Sequence, residues 1–199
     1  MNLKHSAILI SMCLAFVALR VDAQSSFGIR AGLLLANLEY NSDIFNEDNR
    51  TGVDIALVYQ AKLNGGLAIQ PEVHFSQMGN KLKVADIKTT LNYIQVPVLF
   101  QYDLLNSADG IDIYPMVGPY VGVALSGDDG VTDFDFENDL DRLDYGFHLG
   151  AGIDFRLGEF GLYADLRYVM GLANIVHNDN NTNLEIKNQG INIGVGIRF

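Results

Sequence analysis

From Gly190 to Phe199 the chain alternates without a fault. Ile191, Ile193, Val195, Ile197 and Phe199 are apolar, and Asn192, Gly194, Gly196 and Arg198 between them are small or polar. A helix turning once in 3.6 residues would smear that pattern around its surface; an extended strand keeps it on one face. One side of the sheet is then hydrocarbon, the other glycine, amide and guanidinium. A terminal strand of this kind, ending on an aromatic, suits a sheet closed into a tube inside a bilayer. Apolar side chains there meet lipid, and the aromatic sits at the interface.

Seven upstream segments repeat the template. They are Phe27 to Leu35, Val53 to Leu63, Leu67 to Gln77, Thr90 to Leu104, Ile111 to Ser126, Leu143 to Arg156 and Phe160 to Met170. The cleanest is the sixth, with Leu143, Tyr145, Phe147, Leu149, Ala151, Ile153 and Phe155 outward. Asp144, Gly146, His148, Gly150, Gly152, Asp154 and Arg156 then point inward. Two turns are specified by the same rule. Only a three-residue Asn64-Gly65-Gly66 loop keeps both Leu63 and Leu67 outward. A two-residue Gly158-Glu159 turn sets Gly152 opposite Asp165 and Gly150 opposite Arg167, so small residues make room for large ones. Pro115 and Pro119 each remove a ladder donor and predict bulges or bends. Connections alternate long and short. The expectation is an all-β fold: a single up-and-down, eight-stranded antiparallel transmembrane barrel, with both termini and the short turns in the periplasm and the long loops outside.

Residues 1–23 read as a secretory signal peptide. Lys4 and His5 open it, Ala7 to Leu19 is apolar, and Val21-Asp22-Ala23 ends on small residues, with cleavage expected before Gln24. Thirteen apolar residues are too few to span about 30 Å of hydrocarbon as a helix. Cys13, the only cysteine, falls inside this segment, so residues 24–199 form one barrel domain without thiol chemistry. The formal net charge is −11, which argues against nucleic acid as a partner.

The inward positions collect the titratable side chains: Arg30, Asp54, Lys62, Glu72, His74, Asp144, His148, Asp154, Arg156, Asp165, Arg167 and Arg198. An eight-stranded barrel has an interior just wide enough for side chains. The expected role of Arg30, Glu72, His74, His148, Asp154, Arg156, Asp165, Arg167 and Arg198 is a structural polar network that fills the lumen, since enclosed charges must pair or be hydrated. The competing reading is a narrow channel for ions or small solutes. A third turns the sheet inside out, as a soluble lipocalin-like binder of an apolar ligand. His74 and His148 lie in no recognisable nucleophile motif, so no catalytic residue, cofactor or metal is assigned. Asp128, Asp129, Asp133, Asp135, Glu137, Asp139 and Asp141 crowd one loop but lack the order of an EF-hand; they and His177 read as hydrated surface. Tyr40, Tyr59, Tyr102, Tyr145, Tyr168 and Phe199 are candidate interfacial girdles.

Several segments also resemble the PorT-like family of small outer-membrane barrels. They are Gly28-Ile29-Arg30-Ala31-Gly32, Gln70-Pro71-Glu72, Leu91-Asn92-Tyr93-Ile94-Gln95-Val96-Pro97, Gly118-Pro119-Tyr120, Gly150-Ala151-Gly152-Ile153-Asp154-Phe155 and Asp165-Leu166-Arg167-Tyr168. The resemblance implies a bacterial outer-membrane location and an inward acidic residue replaced here by Gln95. The role expected is non-enzymatic: structural, or displaying interaction loops. The expected partners are outer-membrane lipid, the barrel-assembly machinery, and extracellular or envelope proteins met through the acidic loops.

Overall fold

A computed structural model describes residues 25–40, 47–82, 87–105, 110–128, 130, 141–176 and 185–199. The signal peptide reading, most of the acidic loop and His177 lie outside these residues. Eight long strands form the wall: β1 (Ser25–Tyr40), β2 (Glu47–Lys62), β3 (Leu67–Met78), β6 (Thr90–Tyr102), β7 (Ile111–Asp128), β8 (Leu143–Leu157), β9 (Phe160–Gly171) and β10 (Ile186–Arg198). Each pairs antiparallel with its neighbours, and β1 pairs with both β2 and β10, which closes the ring. Among the described residues no helix is long and apolar enough to cross a membrane; strands do the crossing.

Closure fixes the tilt. Stepping across paired residues from Ser25 leads to Ala61, Ile69, Phe100, Val117, Leu149, Tyr168 and Ile191, and returns to β1 at Leu35. A stagger of about ten residues over eight strands inclines the strands by about 35–45° to the axis. Strands β1, β2 and β7 run to 16, 16 and 18 residues. A tilted crossing needs only about 9–11. The excess lies at the long-loop end, where the sequence pattern stopped short because polar residues enter both faces. The connection between the expected third and fourth strands carries two short strands of its own, β4 (Asn80–Leu82) and β5 (Ile87–Lys88). β4 pairs with the outer end of β2, past the point where β3 stops, and so gives that overhanging edge a partner.

Both specified turns form as read. Leu63 N–H donates to the Leu67 carbonyl at 2.6 Å, and Gly65 and Gly66 take φ of 79° and 82° between them. Across Gly158, Gly152 faces Asp165 and Gly150 faces Arg167. The proline expectation is corrected. Pairing of β7 with β8 runs unbroken through Pro115 and Pro119. The single register shift of β7 lies against Asn92/Tyr93, where Leu125 is the extra residue. The prolines interrupt bonding without shifting register: pairing lapses opposite Pro71 in β2–β3, Pro97 in β3–β6 and Pro119 in β6–β7. Each ring nitrogen simply has no hydrogen to give the preceding strand.

Candidate functional site in the barrel lumen

Alternation carries the apolar set outward: Ile29, Ile55, Leu57, Leu149, Leu166, Ile193 and Val195 are all more than half exposed to the surroundings of the barrel. The other face encloses a lumen with room only because of glycine. A Cβ at Gly194 would fall on the Arg30 guanidinium, one at Gly152 on the Tyr114 ring, and one at Gly196 on the Tyr163 ring.

At the centre, Arg30 of β1 donates to Asp165 at 2.5 and 2.9 Å, to Asp54 at 2.6 Å and to Asn192 at 3.0 Å. Arg167 of β9 donates to Glu72 at 2.6 and 3.1 Å and to Asp165 at 2.9 Å. His74 lies between carboxylates, Nδ1 at 3.0 Å from Asp54 and Nε2 bonded to Glu72. Both nitrogens can donate only in the imidazolium, so three cations meet three carboxylates. Ser76 adds its hydroxyl to Asp54. In the ring order, β9 and β3 stand on opposite walls. The Arg167–Glu72 pair therefore spans the bore.

Nearer the short turns, Arg198 bonds Asp154, reaches Gln70 at 3.1 Å and Tyr114 at 3.3 Å, and stacks 4.1 Å from the Tyr163 ring centre. Gln60 joins Gln101 at 2.7 Å, and Gln70 joins Glu72 at 2.6 Å, so this level connects to the one above. At the rim Lys62 meets Asp103 and Asp112 at 3.3 and 3.6 Å. Towards the long loops the chemistry changes. Leu34, Ala36, Leu38, Met78, Leu91, Tyr93, Tyr120, Ala124, Val169 and Ile175 form one buried apolar cluster. Within its span Asn188 of β10, paired across the strands with Leu38, donates to Tyr93 of β6 at 3.2 Å, again between opposite walls, and to Asp144 at 3.1 Å.

Of the nine sequence-selected lumenal residues, Arg30, Glu72, His74, Asp154, Asp165, Arg167 and Arg198 join one connected web. His148 is buried beside it, its ring 5.1 Å from Tyr120 and 6.1 Å from His74, with no hydrogen-bond partner at either nitrogen. Arg156 is the correction. Its side chain is 48% exposed and reaches the rim residue Asp112 at 3.4 Å, because β8 has already left the lumen there. On the terminal strand Ile191, Ile193 and Val195 face out, as does Phe199 beyond its end, while Ile197 is half-buried. The expected network leaves out Gln60, Gln101, Asn188 and Asn192, although alternation along their strands already puts Gln60, Gln101 and Asn192 on the polar face. Tyr59, Tyr102 and Phe199 lie near the short-turn end, Tyr145 and Tyr168 near the long-loop end, which makes two aromatic belts. Among the described residues no group of three His, Cys, Asp or Glu side chains could hold a metal.

The family described as "Outer membrane protein beta-barrel domain" matches residues 22–177. No curated protein matches. Among solved structures, OprG of Pseudomonas aeruginosa is 13% identical, covering 89% of this chain and 97% of its own, with a TM-score of 0.57. Ail, the attachment invasion locus protein of Yersinia pestis, is 17% identical over 90% of this chain and 100% of its own, TM-score 0.50. Outer membrane protein W of E. coli is 14% identical over 90% and 100%, TM-score 0.50. These likenesses are of fold. The inside-out, soluble alternative is set aside by the outward apolar face and the family match over residues 22–177. The chain belongs to the outer membrane protein β-barrel family and is a small barrel protein of the Gram-negative outer membrane.

Proposed function

We propose that this member of the family is a non-enzymatic, non-conducting barrel that serves the envelope as a structural element and as a mount for its outer loops. The observation that carries this reading is the bonding across the bore. Arg167 to Glu72 at the centre and Asn188 to Tyr93 further out join opposite walls. An open path for ions would have to part both. The lumenal web then acts as an internal brace, held by Arg30, Glu72, His74, Asp154, Asp165, Arg167 and Arg198. The partners that follow are lipid around the apolar face, the assembly machinery that inserts the barrel, and envelope or extracellular proteins met by the loops. Within the family we assign it to the PorT-like members, on the segments around Arg30, Glu72, Tyr93, Gly150 and Arg167.

The test is single-channel recording in planar bilayers, with insertion confirmed by the heat-dependent gel shift of a closed barrel. The expected result is no stepwise conductance. Regular steps that change when Arg30 or Asp154 is neutralised would replace this reading with the narrow channel.

A further inference from the structure

Each buried lumenal carboxylate at the centre and base has a cation against it: Asp54 and Asp165 have Arg30, Glu72 has Arg167, and Asp154 has Arg198. Asp144 is different. It is fully buried, its Oδ2 accepts from the Tyr120 hydroxyl at 3.0 Å and from the Asn188 amide at 3.1 Å, and its Oδ1 has no partner. No basic side chain of the described residues bonds it. Asn188, also fully buried, leaves its own Oδ1 without a partner. The two idle oxygens thus belong to side chains already in contact. The Tyr93 and Tyr120 hydroxyls, both bonded into the same group, add further lone pairs. All of this lies against the apolar cluster of Leu34, Leu91, Ala124 and Val169, where a bare carboxylate is strongly disfavoured.

We propose that Asp144, Asn188, Tyr93 and Tyr120 form a binding site for one monovalent hard cation, sodium or potassium. The donor set is all oxygen, which suits hard cations. The charge decides the valence: one carboxylate neutralises a single positive charge, whereas a divalent ion would leave a net charge buried among leucines. Asp144 is the second residue of β8, close to the long-loop end. This site lies apart from the ion web and does not rest on the barrel being non-conducting.

The rival occupant is a proton on Asp144, given to the idle Asn188 oxygen, and the experiment separates the two. The temperature at which the compact gel form is lost is measured in sodium, potassium and N-methylglucamine chlorides at equal ionic strength and pH. Bound cation predicts a saturable rise of several degrees in sodium or potassium over N-methylglucamine, by mass action on the folded state. Asp144→Asn, shown to fold by its own gel shift, should lose that dependence. Asn188→Asp, which adds a second charge, should gain stabilisation by calcium that the parent lacks. Thallium soaked into crystals should give an anomalous peak beside Asp144. Equal temperatures in the three salts, with dependence on pH alone, would assign the site to a proton and overturn the proposal. Conductance steps would sink the brace reading and leave this result standing.

Discussion

At the centre of the lumen Arg30, Arg167 and His74 interlock with Asp54, Glu72 and Asp165, whereas one level outward Leu34, Leu38, Met78, Leu91 and Val169 close the same tube with hydrocarbon. The two fillings tolerate error differently. A hydrocarbon plug can shift and repack at modest cost, and it specifies little. The ion web has one arrangement, because every donor is aimed at a particular oxygen across the bore. The centre therefore fixes which strands face each other and in what register, and the outer end seals.

The sharpest way to break this contrast is to remove one partner at the centre. Arg167→Leu leaves the three carboxylates Asp54, Glu72 and Asp165 with only Arg30 and His74 between them and is expected to cost about 3–5 kcal/mol in denaturant unfolding. Adding Glu72→Leu to it should recover much of that loss, since two cations, Arg30 and His74, then face two carboxylates, Asp54 and Asp165. In the outer plug Leu91→Ala removes packing alone and is expected to cost about 3 kcal/mol, with no rescue from any charge change. Gly194→Ala probes the space rather than the charges. Its methyl group meets the Arg30 guanidinium, and the strain is expected to cost about 1–3 kcal/mol by the same measurement. Smallest is Lys62→Met at the rim. Its pairs with Asp103 and Asp112 are partly solvated, so the change should stay under about 1 kcal/mol and shrink further in salt. A rim effect as large as the Arg167 effect would erase the distinction between lumen and edge.

Which residues face inward was legible from the sequence because alternation is strictly local: residues 143–156 state their own faces, and the Gly158 turn states its own register. Which inward residues touch was not legible. Arg167 reaches Glu72 because β9 stands opposite β3, and that depends on the stagger accumulated around the whole ring. No segment of fewer than eight strands contains it. Asn188 was hidden for a related reason. Asn188 lies just before the perfect alternation begins at Gly190, so the terminal pattern gave no hint that β10 extends to Ile186. Arg156 was misassigned because alternation continues past the point where the lumen ends, and periodicity carries no information about height. The β4–β5 hairpin was invisible to a two-residue period because its strands are three and two residues long.

The pairing of β1 with β10 bears on the order of assembly. The Phe27 and Phe199 backbones exchange hydrogen bonds in both directions, at 3.0 and 2.8 Å, so the first strand waits for the last. Until β10 docks, the sheet has two unpaired edges, and Arg30 lacks Asp165 and Asn192 even though Asp54 is already beside it. Such a pairing spans nearly the whole chain and is slow to find, while exposed edges invite contact with other chains. Edge satisfaction and charge satisfaction arrive in the same event. A nascent chain held short of that event is a sticky, charged ribbon, and the interval before closure is when it most needs an escort.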